Sequence, residues 1–291
     1  MGPAPARREV LIAVALFVAT LATSVLSYAV FFGGAPVGAR LPNGAELYDG
    51  LAFGSALLGI LLAHEMGHYV VARLHGFALS LPWFVPFPNL FGTLGAVIRL
   101  RSLPRTRQAL LEMGVAGPMA GAVVAFVLLW VSLPWIEPAA PIADGEAIMV
   151  FQDPLLVSVV GFLTTGAPPE RLAQYHPVTM AAWVGCFLTG VNLLPIGQLD
   201  GGHVLNAAAP RVARLVSRVG PLLLIAAGYW WPGWIVWGVL LLLLSAGRPL
   251  PVADHPPLPL RSRVLAALAL VLFALTFLPA PIVEETFRAG P

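Results

Sequence analysis

Two histidines four residues apart, His64 and His68, enclose a glutamate, Glu65, in the run LLAHEMGHYVV at residues 61–71. Helical positions four apart lie on one face, so the two imidazoles can hold one metal ion between them while Glu65 reaches a water carried by that ion. This is the HExxH arrangement, and the chemistry it supports is hydrolysis by metal-activated water. The rest of the run is apolar. An ionisable side chain in such a helix costs about 3 kcal/mol at a bilayer centre and marks a functional site by default. The competing reading is a pair of core histidines and a paired glutamate that stabilise helix contacts.

Two imidazoles leave a catalytic zinc site incomplete, since such sites use three protein ligands and keep one position open for water. Asp200, in NLLPIGQLDGGHV, lies just past a Pro-Gly helix break that frees its geometry. Glu112, near the mouth of another apolar segment, is the other acid to consider. Its position beside Arg105 and Arg107 reads better as a helix-start carboxylate that pairs with arginine or with the helix dipole. His203 lies beyond the two glycines and reads as a histidine behind the ligands, because a fourth protein ligand would close the site. His75, His176 and His255 fall near Pro or Gly and read as solvated loop residues.

These residues must be positioned by membrane-spanning elements. Of 291 residues, 58% are hydrophobic and only 10% are charged, and the mean hydropathy is +0.86. That balance is an integral membrane protein's. All sixteen basic residues are arginine and the net charge is +2, with no basic run or stacking aromatics to suggest a nucleic-acid partner. A single cysteine, Cys186, excludes an intrachain disulfide and a thiolate metal cluster.

Apolar runs predict spans at 10–32, 51–74, 110–136 and 178–195, a hairpin of two segments at 215–244 about the WWPGW turn, and a last span at 264–278. The first is long and lacks a small-residue cleavage site, so it reads as a retained anchor. Cytoplasmic loops carry the excess of positive charge. With the N-terminus inside, thirteen arginines (7, 8, 73, 99, 101, 105, 107, 211, 214, 218, 248, 261 and 263) face the cytoplasm and three (40, 171 and 288) face outward. Merging 215–244 into one span would move Arg248, Arg261 and Arg263 outside, so the hairpin is preferred. The expected fold is therefore an all-α polytopic membrane protein of six to seven transmembrane segments.

With HEMGH in one segment and NLLPIGQLDGGHV in a later one, the chain resembles the site-2 protease family of intramembrane zinc metalloproteases. Asn192, Pro195, Asp200 and Gly201 occupy the places of the family's second motif, and the likeness extends through FGTLGAVIRLRS and AGPMAG, over residues 51–206. The resemblance implies one Zn²⁺ per chain on His64, His68 and Asp200, with Glu65 as general base. It also implies transmembrane protein substrates. The topology puts both motifs toward the cytoplasmic ends of their spans, and the absence of a Ser- and Arg-rich transit segment favours a bacterial or archaeal cytoplasmic membrane over an organelle membrane. Asn192 would orient the substrate or stabilise the oxyanion; the alternative is a helix-packing amide. The chain then divides into an N-terminal anchor and outer loop (1–50), a catalytic core (51–206) and a C-terminal hairpin and last span (207–291).

Residues 81–102 are apolar but interrupted by prolines and glycines, so they cannot form a transmembrane helix. A re-entrant or interfacial strand-like segment is expected after the second span. Gly95, Ala96, Val97 and Ile98 could offer an edge on which an unwound substrate pairs as an added strand. A plug that seals the zinc cavity is the alternative. The outer loop at 138–176 is too short for an added domain of the usual fifty or so residues, and 154–166 is expected on the outer membrane surface, hindering bulky ectodomains. Two further readings stand beside the peptidase: a metal transporter using the same ligands, which would need more polar residues along a through-path, and a non-cleaving scaffold, against which an intact Glu65 speaks.

Overall fold

The computed structural model describes residues 6–34, 40–102, 104, 106–138, 144–170, 174–243 and 257–287. Arg105, Arg171, Arg248, His255 and Arg288, used above, lie outside them. The described chain is mostly helical, and three of its helices are long and apolar enough to cross a membrane. These are α1 (Arg7–Phe31), α2 (Gly44–Leu74) and α3, which the 3₁₀ turn Leu133–Trp135 extends beyond Ser132 (Arg107–Ser132). At 31 residues, α2 is about 46 Å long. Its start is set by Asn43, whose side chain accepts from the Glu46 amide while Glu46 reaches back to the Asn43 amide.

Glycines let these three helices approach closely. A Cβ at Gly50 of α2 would lie 2.4 Å from the Val25 carbonyl oxygen of α1, and one at Gly67 would lie 2.4 Å from that of Ala116 on α3. In lipid, where the hydrophobic effect does not drive helices together, such contacts supply the association.

The interrupted apolar segment forms a hairpin, β1 (Trp83–Pro86) and β2 (Thr93–Val97), paired antiparallel with an irregularity between Phe84 and Pro86. It runs lengthwise along α1. At its base, Glu9 accepts from the Leu81 amide and from Arg101, at 2.9 and 2.6 Å. Midway, Phe84 packs edge-on against Phe17, with 5.0 Å between centroids. At its tip, Thr23 donates to the Gly92 carbonyl at 2.7 Å. Gly92 has φ +76°, and a Cβ there would lie 2.4 Å from the Ser24 nitrogen, so the turn can seat on the helix only as glycine. Glu9 and Thr23 are about 21 Å apart along α1 at 1.5 Å per residue.

The remaining helices are α4 (Leu155–Thr165), α5 (Pro177–Asn192), α6 (Asp200–Ala208), α7 (Pro210–Ala227), α8 (Gly233–Leu243) and α9 (Leu260–Thr276). α7 and α8 pack on each other across a turn at Gly228. A second antiparallel pair, β3 (Ala147–Phe151) with β4 (Ile282–Thr286), joins the connection between α3 and α5 to the segment after α9. The larger core cluster lies among α2, α3 and α5 around Phe53, Leu57 and Trp183, each with no exposed surface.

One expectation about polar residues, solvated loop histidines, is corrected, and another, an arginine partner for Glu112, is met by a distant arginine. His75 is not solvated: it caps α2 and bonds Glu112 at 3.0 Å. Glu112 also accepts from Gln108, Arg261 and Ser262, whereas Arg107 turns away to the Ala207 and Ala208 carbonyls at 2.6 and 2.8 Å. A buried carboxylate takes as many donors as it can reach, and α9 supplies two that the sequence neighbourhood does not reveal. His176 is likewise half-buried, capping α5 and meeting Trp135 edge-on.

Candidate active site

His64 and His68 lie on one face of α2 near its C-terminal end, as their spacing requires. Asp200 is the first residue of α6 and comes from a different part of the chain. α5 ends at Asn192; Pro195 lacks an amide to continue it and Gly197 turns at φ +58°. Gly201 then passes so close to α5 that a Cβ would fall 1.9 Å from the Leu193 carbonyl oxygen. The two glycines after Asp200 therefore let α6 begin against the end of α5, with its first carboxylate facing α2.

The three side chains converge. His64 Nε2 is 3.1 Å from Asp200 Oδ2, His68 Nε2 is 3.2 Å from Asp200 Oδ1, and the two Nε2 atoms are 3.1 Å apart. All three are largely buried, with 7, 12 and 13% of the side chains exposed. His68 Nδ1 lies 2.8 Å from the Met113 carbonyl oxygen. A carbonyl only accepts, so Nδ1 carries a proton, which assigns Nε2, the atom facing Asp200 and His64, as the one that would bind a metal when the ring is neutral. Lone pairs and a carboxylate crowded together repel one another unless a cation lies among them. Tetrahedral zinc with bonds of about 2.0–2.1 Å sets its ligand atoms a little over 3 Å apart, so the donor set fits it. The backbone carbonyl behind His68 is the partner that commonly fixes the tautomer of a metal-binding histidine.

α3 forms the wall of this cluster through three glycines on one face. A Cβ at Gly117 would lie 2.1 Å from His68 Nε2, and one at Gly121 would lie 3.1 Å from His64 Cβ. One at Gly114 would lie 3.1 Å from both the Asp200 carbonyl oxygen and His203 Cβ. In the sequence AGPMAG stands as part of the family likeness, and nothing there says that its glycines face the ligands; the spacing of three and four residues from Gly114 through Gly117 to Gly121 in an apolar segment is the signal of such a face.

Glu65 is 6% exposed, beside the cluster in sequence and in the same buried stretch of α2. His203 is buried behind Asp200 on α6, and its Nδ1 has no hydrogen-bond partner among the described residues. Asn192 is half-buried at the end of α5, next to the carbonyl that Gly201 approaches. Gly95, Ala96 and Val97 lie in β2, with Ile98 just beyond it; β2 has one strand partner, β1, among the described residues.

The chain is similar to the probable zinc metalloprotease EGY1, chloroplastic, of Arabidopsis thaliana, at 30% identity over 237 residues, or 79% of this chain and 42% of that protein. It is similar to EGY2, chloroplastic, of the same plant, at 30% over 239 residues, or 81% and 43%. The chain thus spans less than half the length of these relatives. Among solved structures, the site-2 protease from Methanocaldococcus jannaschii aligns over 82% of this chain and 93% of its own, with a TM-score of 0.45 and 15% identity. The sequence model described as peptidase family M50 matches residues 52–227, from the helix that holds His64 and His68 past the turn that delivers Asp200. That is more than half of this membrane-embedded chain, and the chain belongs to peptidase family M50.

Proposed function

We propose that the protein is an intramembrane zinc metalloprotease that hydrolyses peptide bonds in or near transmembrane segments of other membrane proteins. The observation that carries this reading is the convergence of His64, His68 and Asp200 within a buried cluster. These three residues would hold the metal, one per chain. Zinc bound there supplies a Lewis acid that lowers the pKa of a water to about 7 and polarises the scissile carbonyl.

The chain's own groups do the rest. Glu65 takes a proton from the attacking water and passes it to the departing amine. Met113 holds the His68 ring in one tautomer through its carbonyl, and Gly117 leaves room for that ring. Asn192 orients the substrate or the developing oxyanion from the end of α5. A helical substrate hides its amides in internal bonds, so something must hold it extended. The free edge of β2, at Gly95, Ala96, Val97 and Ile98, pairs with it as an added strand. Its placement along α1 supports a re-entrant position for the hairpin.

Residues 51–206 form the catalytic unit, flanked by the 1–50 anchor and the 207–291 hairpin and last span. Six to seven segments cross the membrane. The arginine distribution supports a cytoplasmic N-terminus and a site toward that face; the membrane is read as a bacterial or archaeal cytoplasmic membrane.

The test is cleavage of a detergent-solubilised transmembrane substrate by purified protein, with Glu65→Gln and a zinc chelator as controls. Both controls are expected to abolish cleavage. Equal cleavage by wild type and Glu65→Gln would sink the mechanism. Proline at Ala96 or Ile98 should slow cleavage while leaving bound zinc unchanged, and unaltered rates would remove the strand from the reading.

A further inference from the structure

At the arginine-rich end of the molecule, away from the metal cluster, an open cleft of about 610 Å³ lies between α3, α6 and α9, lined by Arg107, Ala208, Pro257, Leu258 and Arg263. Its size falls within the range that holds small organic ligands. Arg107 is not a free surface side chain. Its Nε and Nη2 are tied to the Ala207 and Ala208 carbonyls at the end of α6, which fixes the guanidinium plane. Two of its five N–H groups are used there, so three are left to donate. Arg263, on the opposing helix, is exposed and has no ion pair among the described residues.

Three helices begin around this cleft: α3 at Arg107 itself, α7 two residues after Ala208, and α9 two residues after Leu258. None has an acid in its first turn, so each presents the positive end of its dipole uncompensated. The acid on this stretch of α3 is Glu112, already accepting from His75, Gln108, Arg261 and Ser262. The α6 carbonyls offset part of the Arg107 charge, but no described carboxylate pairs with Arg107 or Arg263, so the cleft keeps a net positive charge beside an apolar floor of Pro257 and Leu258. A pre-oriented guanidinium, a second cation and converging helix N-termini are what a multi-oxygen anion requires.

We propose that this cleft binds a phosphate-bearing anion, its oxygens between Arg107 and Arg263 and its apolar part against Pro257 and Leu258. The same chemistry is offered by the headgroup of an anionic phospholipid and by a soluble phosphate. Basic pockets between helices at the cytoplasmic interface take anionic headgroups in this way. The site is independent of the peptidase reading.

The test uses the full chain in nanodiscs, of phosphatidylcholine alone or of an equal mixture with phosphatidylglycerol, followed by native mass spectrometry of the retained lipid. Two variants address the cleft and spare the Arg107 bonds: Arg263→Gln, and Ala208→Glu, which adds a carboxylate at an exposed lining position. Wild type should retain one phosphatidylglycerol in preference to phosphatidylcholine, and each variant should lower that retention about fivefold or more, with an unchanged helical circular dichroism spectrum. A second arm adds inorganic phosphate to the phosphatidylcholine discs. A rise in melting temperature that both variants abolish, without lipid preference, would assign the site to a soluble phosphate. Equal retention of the two lipids with no phosphate-dependent shift overturns the proposal, as does a phosphatidylglycerol preference that both variants leave intact.

Discussion

The imidazole of His68 is held at both ends, Nδ1 on the Met113 carbonyl at 2.8 Å and Nε2 against Asp200 and His64. Gly117 completes the enclosure, because a methyl group there would come within 2.1 Å of Nε2, the nitrogen that would hold the metal. Gly117→Ala must therefore displace the ring or the helix. Disturbing the support of a metal ligand typically costs ten- to a hundredfold in affinity, and a loss of about that size is expected in chelator-competition titrations. Gly59→Ala on α2 is the matched control, since nothing lies within 4 Å of its Cβ position. It should leave zinc affinity unchanged and stabilise the helix by about 0.5–1 kcal/mol. Removing the metal leaves a carboxylate and two imidazoles crowded together. Chelation should accordingly lower the melting temperature of wild type by an amount that grows with the free zinc concentration beforehand, a contribution of about 4 kcal/mol at a thousandfold excess over Kd. In His68→Ala that shift should largely vanish; a full shift in this variant would place the zinc elsewhere.

Among the elements, two polar contacts bind helices that the apolar packing alone would leave free to slide. Glu112 joins the end of α2, through His75, to the start of α9, through Arg261 and Ser262, and its neighbour Met113 supplies the carbonyl that orients His68. Glu112→Ala strands those donors and should cost about 2 kcal/mol in a denaturation assay, with Glu112→Gln losing less because an amide oxygen still accepts. The second contact is in the outer loop, where Tyr175 donates to Asp153 between β3 and α4. Burial pushes the Asp153 carboxyl up to about 6, despite that bond. The folded corner thus keeps its proton as the unfolded chain loses it, so its stabilisation is full below about pH 4 and is lost as pH rises through about 6. The loss is at most about 3 kcal/mol. Protection factors for hydrogen exchange in β3 and α4, which divide out the intrinsic pH dependence of the amides, should fall over that interval in wild type and stay flat in Asp153→Asn; an equal fall in both would remove Asp153 as the cause.

For the molecule as a whole, what the sequence disclosed was local, and what it hid was the pairing of distant parts. HExxH sits on a helix because its spacing is helical, and Asp200 is freed because Pro195 and Gly197 end α5; both causes lie within a few residues of their effects. The apolar runs at 10–32, 51–74 and 110–136 became α1, α2 and α3 with ends shifted by a few residues. The bond from Arg261 to Glu112 crosses 149 residues, and the seat of Gly92 on Ser24 crosses 68. Neither is visible in any local pattern, because turn residues announce a turn and say nothing of the surface it rests on. The proposed orientation in the membrane is likewise a global property, argued from thirteen arginines against three, and it requires α7 and α8 to form a hairpin whose tip, near Tyr229, lies on the same side as the loop before α2. Leu41, Leu74 and Tyr229 are 88, 81 and 89% exposed, and the chain's one cysteine, Cys186, is buried. In a Cys186→Ala background, single cysteines can therefore be placed at those three positions without disturbing the core. In sealed vesicles, an impermeant maleimide should label Leu41→Cys and Tyr229→Cys from one side and Leu74→Cys from the other. Labelling of Tyr229→Cys together with Leu74→Cys would mean that α7 does not cross, and would carry α9 and its arginines to the opposite face.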